Sequence, residues 1–451
     1  MTTRRARRHR QPGPRPDLLT RLKEFPSSWA GLVSFSVSMI AIVLAVGIFR
    51  IPLPFLSSST DPTPDPWGTV TVAKGGTFHI TYIGDTSSGA SIDASGATAA
   101  IRQVLKDRPK VKEANVELQV VEDKCNAETA TTQARQIAGD PLTVAVINGA
   151  CPVSAQAAAA VFEEQHVTHL LINNHDPALT SAMTPVTFRT SWNRKNEGSD
   201  TARSAFNDLI LRRGIVFYDG STDAETVANE FAATFRQTNS GPIAGQIVDL
   251  LKTSTQTTDI DAASKRIQQL QPEFLFFSGT GDVATALKVA ATAAGFTGTY
   301  IVSDQARSDP LLARLGAAQE SLVATLATLA QGGGYDAWKE TYERDNGSIG
   351  PLSAEAFDAA QVVLQSLDTA GRTKSDGTLE LGRRQVSNVV RVLPYDGITG
   401  RFGFDSKGDR ALNMVQLARY INGAWVPVPK KPAPVPAADG EPTSLQGGDG
   451  G

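Results

Sequence analysis

Along most of this chain, short unbroken apolar runs alternate with stretches in which apolar residues recur every three or four positions. "TFHITYIG" (77–84) reads as a strand, and 96–108 as a helix with Ile101, Val104 and Leu105 on one face. "VELQVVED" (116–123) is the next strand. A helix follows from near Asn126, with Ala130, Ala134 and Ile137 at helical spacing. "TVAVING" (143–149), a helix from Ser154 to Glu164, and "HLLIN" (169–173) continue the series. The pattern then restarts. "GIVFYDG" (214–220) precedes a helix carrying Val227, Phe231 and Phe235, and "EFLFFSG" (273–279) precedes a helix that ends at Gly295. "TYIVSD" (299–304) is a further strand. Continuous apolar strands linked by helices predict parallel sheets covered on both faces. Two doubly wound α/β lobes follow, with "TFRTSW" (187–192) at the hand-over.

Two segments do not fit this alternation. "WAGLVSFSVSMIAIVLAVGIF" (29–49) holds 21 residues without a charge, a helix of about 30 Å, the thickness of a bilayer's hydrocarbon core. It is followed by Arg50 and "IPLPFL", without a small-x-small cleavage site, so a retained transmembrane anchor is expected rather than a removed leader. "SSSTDPTPDPWG" (57–68) is Pro- and Ser-rich, so 50–74 is expected as a linker and the folded body from 75. The Pro- and Gly-rich stretch 429–451 is expected to be a disordered tail.

Charge sets the topology. Residues 1–28 carry eight basic residues against two acidic ones, so this tail holds +6 and the rest of the 451-residue chain −9 of the net −3. Basic residues stay on the cytoplasmic side of a membrane. The tail is therefore expected inside, with the main body outside the cytoplasm as a single-pass membrane protein. An acidic body excludes an extended nucleic-acid footprint.

The only cysteines are Cys125 and Cys151. Outside the cytoplasm such a pair is expected as a disulfide, and two thiols without a nearby His-x-x-x-His make a poor metal site. Each follows the carboxyl end of a predicted strand. With those strands taken as neighbours, the bridge would brace the edge where open α/β sheets bind ligands.

Catalytic patterns are scarce. No G-x-S-x-G, H-E-x-x-H, P-loop or G-x-G-x-x-G occurs, and "GTGDVA" (279–284) lacks the rest of a dinucleotide fingerprint. Binding rather than turnover is expected, with no catalytic residue, cofactor or metal. The strand ends instead offer hydroxyls, amides and helix starts: Ser88 in "DTSSGAS", Ser154 in "CPVSA", and Asn174 and His175 in "NNHDP". Helix N-termini of this kind suit polar or anionic ligand groups.

Four stretches together carry a resemblance. They are "VEDKCNAETA…VINGAC", "DPALT" followed by "FRT", "SAEAFDAA" (353–360), and "DGITGRFGFDSKGDR" (396–410). Over roughly 350 residues the chain resembles type I periplasmic solute-binding proteins of the leucine/isoleucine/valine-binding group. The resemblance implies two lobes joined by three crossovers: 75–190 with 325–396 as lobe 1, and 191–324 with 397–428 as lobe 2. It also implies a small amino-acid-like solute in the cleft and an ABC permease as partner. By position, Pro152 stands where the family commonly has a ligand-contacting Ser, and Asn174-His175 where it has Ala-Thr. Asp223 falls where an aromatic covers the ligand, and Asp304 or Gln305 where an acid pairs its ammonium. These departures imply a more polar ligand. The alternative is a sensing or protein-interaction ectodomain with a degenerate pocket.

Overall fold

The structure is a computed structural model; it describes residues 64–85, 94–149, 151–238, 244–307, 311–313, 322–326, 333–411 and 415–430. The expected transmembrane segment, the basic tail and the C-terminal tail lie outside these residues. Among the described residues no helix is long and apolar enough to cross a membrane.

The chain enters strand β1 (Thr69–Val72) within the stretch expected as linker. Alternation explains it: Val70 and Val72 turn inward while their neighbours stay in solvent. Next come β2 (Thr77–Ile83), α1 (Ser95–Asp107), β3 (Lys110–Val111), β4 (Ala114–Val121), α2 (Ala127–Gly139) and β5 (Thr143–Asn148). They continue through α3 (Pro152–Glu164), β6 (Thr168–Leu171), the one-turn α4 (Ala178–Ser181) and β7 (Thr187–Arg189). Their sheet runs β3-β4-β2-β5-β6-β7, parallel from β4 to β7. Strands β5 and β6 are buried at every residue, which is why they read as unbroken apolar runs.

The second lobe starts at α5 (Arg194–Asn207) and adds β8 (Arg213–Tyr218), α6 (Thr222–Gln237), β9 (Gln246–Lys252), α7 (Thr257–Leu270) and β10 (Phe274–Ser278). It continues through α8 (Gly281–Ala293), β11 (Thr299–Val302) and β12 (Leu322–Leu326). The chain then returns. Elements α9 (Tyr335–Asn346), α10 (Ser353–Ala370), β14 (Leu379–Gly382), α11 (Arg383–Val392) and the hairpin β15 (Tyr395–Gly397)–β16 (Gly400–Phe402) supply side chains to the first core, while the exposed β13 (Arg372–Thr373) pairs with β14. Ile398 and Phe402 belong to that core, although the expected boundary put 397 onward in the second lobe. Finally β17 (Gln416–Ile421) and β18 (Ala424–Pro427) complete a second sheet, ordered β18-β17-β12-β11-β10-β8-β9 and parallel from β12 to β9. The chain thus passes between the two sheets three times. Two parallel-sheet lobes, as expected from the periodicity, form the described body.

Each lobe has its own core. In the second, Phe231 stacks on Phe276 with centroids 4.1 Å apart, and Phe235 lies 5.0 Å from Phe274. These rings are fully buried, each contributing about 2–3 kcal/mol by leaving water. Helix α5 sits closely on α6 because Gly198 has no side chain; a Cβ there would lie 2.6 Å from the Val227 carbonyl oxygen.

Candidate functional site

In each sheet, one strand has its chain neighbours on opposite sides. In the first lobe this is β2, between β4 and β5; in the second it is β8, between β9 and β10. At such a reversal the connecting loops diverge and leave a crevice at the carboxyl ends of the strands. The second lobe has a concavity of about 410 Å³ there, lined by Asp219, Ser221, Asp223, Gly279, Thr280 and Gln305, among others. Asp219 shapes it. Its two carboxylate oxygens accept the backbone N–H groups of Ser221 and Thr280, both at 2.9 Å, tying the loop after β8 to the loop after β10. A further cavity, beside Gln271, Pro272 and Gly298, opens at the opposite edge of that sheet.

Cys125 and Cys151 form a disulfide with Cα atoms 5.5 Å apart. Its placement differs from the expectation. Strands β4 and β5 are not neighbours, since β2 runs between them. What brings the sulfurs together is the packing of α2 against α3. Cys125 lies just before the first of these helices and Cys151 is the N-cap of the second. The bridge therefore clamps two helix starts across the switch point. Near the same strand ends, Tyr82 is fully buried, and a Cβ on Gly149 would lie 2.5 Å from its hydroxyl oxygen, a clash that glycine avoids.

The residues expected to hold a ligand divide into distinct groups. Ser88 lies outside the described residues. Ser154 is fully buried, with its hydroxyl 3.7 Å from the Cys151 sulfur, and so faces the bridge rather than the cleft. Asn174 is also buried; its amide donates to the Pro152 carbonyl at 3.2 Å and accepts from the Asp176 N–H at 2.9 Å. It joins two strand-end loops. His175 stacks flat on Trp192, centroids 3.8 Å apart, and its Nδ1 bonds the Trp192 carbonyl at 2.7 Å. Burial, then the charge of Arg194, push its pKa down to about 3, so it is neutral at physiological pH.

Asp223 and Asp304 meet around a residue the sequence reading did not single out. Arg194 lies over the Trp192 ring at 5.0 Å and donates from Nε to Asp223 at 3.0 Å and from Nη1 to Glu197 at 2.9 Å. Glu197 is fully buried and accepts the Asp304 backbone N–H at 2.8 Å. Burial raises its pKa and the Arg194 charge opposes that rise. Gln305 donates to the same Asp223 oxygen at 3.4 Å, while the Asp304 carboxylate pairs with Arg307 at 3.1 Å. Arg194 has a readable signal, as a basic residue directly after a Trp-Asn helix start at the first crossover.

The hand-over between lobes is held by charges removed from water. Arg189, with no exposed surface, pairs with Asp409 at 3.2 Å. Asp409 also accepts from the Thr180 hydroxyl at 2.9 Å and from the Asn193 amide at 2.9 Å. Asn193 in turn caps α5 through a reciprocal pair with Asn196. Next to Asp409, Arg410 donates to the Thr399 hydroxyl and carbonyl, each at 2.8 Å. Asp358 accepts the N–H groups of Ile398 and Thr399 and the Thr399 hydroxyl. The "SAEAFDAA" and "DGITGRFGFDSKGDR" stretches thus meet at Thr399.

With this geometry in place, comparison with known proteins is informative. Residues 77–424 match the family described as periplasmic binding protein. A leucine-, isoleucine-, valine-, threonine- and alanine-binding protein of Pseudomonas aeruginosa is 23% identical over 317 residues, covering 70% of this chain and 81% of that protein. A putative branched-chain amino-acid ABC transporter structure from Rhodospirillum rubrum superposes with a TM-score of 0.65 at 16% identity, covering 78% of this chain and all of that one. An ABC transporter substrate-binding protein from Desulfitobacterium hafniense, in complex with Leu, gives 0.61 at 18% identity, over 78% and 99% of the chains. Two parallel-sheet lobes, a three-fold crossing and a family match over most of the sequence agree: the chain belongs to the periplasmic binding protein family.

Proposed function

We propose that this protein captures a small polar, amino-acid-like solute between its lobes, outside the cytoplasm, and presents it to an ABC permease. The observation that carries the reading is the concavity at the second lobe's switch point, about 410 Å³ with hydroxyls and carboxylates at its rim. On the first lobe the disulfide braces the corresponding switch point. Ligand contacts made by both lobes at once favour one relative lobe arrangement over others, and a permease that reads that arrangement senses loading. The relatives named for leucine and related amino acids support a solute of that size. In this reading the segment 29–49 keeps the protein on the membrane as a single-pass anchor.

The test is a thermal-shift screen of the full chain against small polar solutes, since a ligand that binds only the folded state raises its midpoint. A shift of several degrees with one chemical class supports capture; a flat response across the screen refutes it. Protease added to intact cells tests the topology: the body is digested from outside, and its survival would contradict the anchor.

A further inference from the structure

We infer that the Cys125–Cys151 bridge is a site of thiol exchange with a fixed direction: a small-molecule thiolate attacks the Cys125 sulfur and is joined to it, while Cys151 leaves as a thiolate held at the start of α3. The inference concerns the bridge alone and stands whether or not a solute is captured between the lobes.

The two sulfurs differ in access, in the helix each one borders and in their hydrogen-bond donors. Cys125 is exposed, whereas Cys151 is buried to 9%. A thiolate needs a line of approach to the sulfur it attacks, and only Cys125 offers one. Cys125 precedes α2, whose start is already capped: the Asn126 side chain accepts the Thr129 N–H at 2.9 Å. Cys151 is itself the N-cap of α3, and no side chain caps that helix. Pro152 has no N–H, and the Val153 and Ser154 backbone N–H groups have no acceptor among the described residues. A thiolate at the N-cap position is within reach of those two donors and sits at the positive end of the helix. The Ser154 hydroxyl, fully buried, adds a third donor 3.7 Å from the Cys151 sulfur. A bridged sulfur carries no hydrogen, so the hydroxyl donates, and its bond strengthens as the sulfur gains charge.

The step balances without an added oxidant or reductant. The attacking thiolate supplies the electron pair of the new S–S bond to Cys125, and the pair of the broken bond stays on Cys151. Exchange is faster when the leaving sulfur is the better-stabilised thiolate, and that sulfur is Cys151. The loop also gains from opening. Lys124 and Cys125 are consecutive non-glycine residues in the left-handed region, with φ of 50° and 52°, a costly backbone that a closed bridge must hold. Exchange releases the clamp between α2 and α3 at the first lobe's switch point.

The experiment exposes the folded full chain to excess glutathione at about pH 8, where a useful fraction is thiolate. Early time points are quenched in acid, alkylated and mapped by mass spectrometry. Glutathione is expected on Cys125 and the alkyl group on Cys151, in at least tenfold excess over the reverse. Ser154→Ala is expected to slow exchange several-fold with Cys125 still the acceptor, its melting midpoint being measured alongside. A second readout does not depend on access: in Cys125→Ser, the ultraviolet absorbance of the Cys151 thiolate should appear at lower pH than that of Cys125 in Cys151→Ser. Glutathione on Cys151, or on both sulfurs equally, overturns the direction, as does the reverse order of the two titrations. An unchanged rate in Ser154→Ala overturns the role of the hydroxyl. No adduct without denaturant overturns the exchange site and leaves a sealed structural bridge.

Discussion

Arg189 and Asp409 form an ion pair at 3.2 Å in which the guanidinium has no exposed surface. One residue ends the last strand of the first sheet before the chain crosses over, and the other lies where the chain crosses for the last time. A charge in that position is tolerable only while its partner is present. Burial lowers the Arg189 pKa, and Asp409, ahead of Asp176 and Asp405, offsets that shift.

Asp409→Ala is therefore expected to destabilise the protein by about 3–5 kcal/mol, because it strands a buried cation and removes the acceptor of Thr180 and Asn193. Urea denaturation of the variant measures this. Combining it with Arg189→Leu is expected to recover part of the loss, and a purely additive double variant would show that the two residues are not coupled.

The disulfide closes a loop of 26 positions between two helix starts. Cys125→Ser together with Cys151→Ser is expected to cost about 3 kcal/mol. The comparison is the melting midpoint of the wild type with and without reductant. The reduced wild type should match the double variant, which should itself be indifferent to reductant.

Gly149→Ala places a methyl group against the Tyr82 hydroxyl. A cost of about 1–3 kcal/mol is expected from overpacking. Tyr82→Phe removes the clashing oxygen and should rescue most of it. Failure of that rescue would mean the strain lies in the backbone instead.

Two sets of groups give stability opposite slopes with pH. His169 and His175 are both held down to about 3, in each case first by burial. They are neutral in the native state while an unfolded histidine protonates near pH 6.5. Their contribution is complete above that value and is lost as pH falls from 6.5 toward 3, at no more than about 1.4 kcal/mol per unit for each. Glu355 behaves in the reverse sense. Burial, with a further rise from Asp358, pushes it up to about 7. Its contribution is complete below about 4.5, the unfolded value, and is lost as pH rises to 7. Denaturation midpoints measured from pH 4 to 8 check this: Glu355→Gln should reduce the decline between 4.5 and 7, leaving the part due to Glu197 and Asp200, whose pKa values burial also raises, and should leave the acid limb unchanged.

The alternation of strands and helices was legible because β5, β6 and β10 are buried along their whole length and so leave an unbroken apolar signature. Strand β9 left none, since most of its residues are only half buried. Strand β1 was hidden by the Pro-rich stretch that precedes it. For the site, strand ends could be read but side-chain direction could not. Ser154 lies three residues beyond Cys151, nearly one helical turn, and this turns it toward the sulfur. The pairing of Arg189 with Asp409, and the meeting of Asp358 and Arg410 at Thr399, join residues far apart in the chain, which no local periodicity encodes. Their motifs could be recognised; what they grip could not.

Strand β1 pairs with β14 from Thr69 to Val72, Asp65 accepts N–H groups at the start of α11, and Trp67 stacks on His166 at 4.8 Å. Residues 64–74 are thereby stitched into the first lobe rather than paid out as slack. Anything that pulls on the chain from its N-terminal side acts on that lobe directly. Held in the lobe, residues 64–74 give up the roughly 36 Å that the same stretch would span if fully extended.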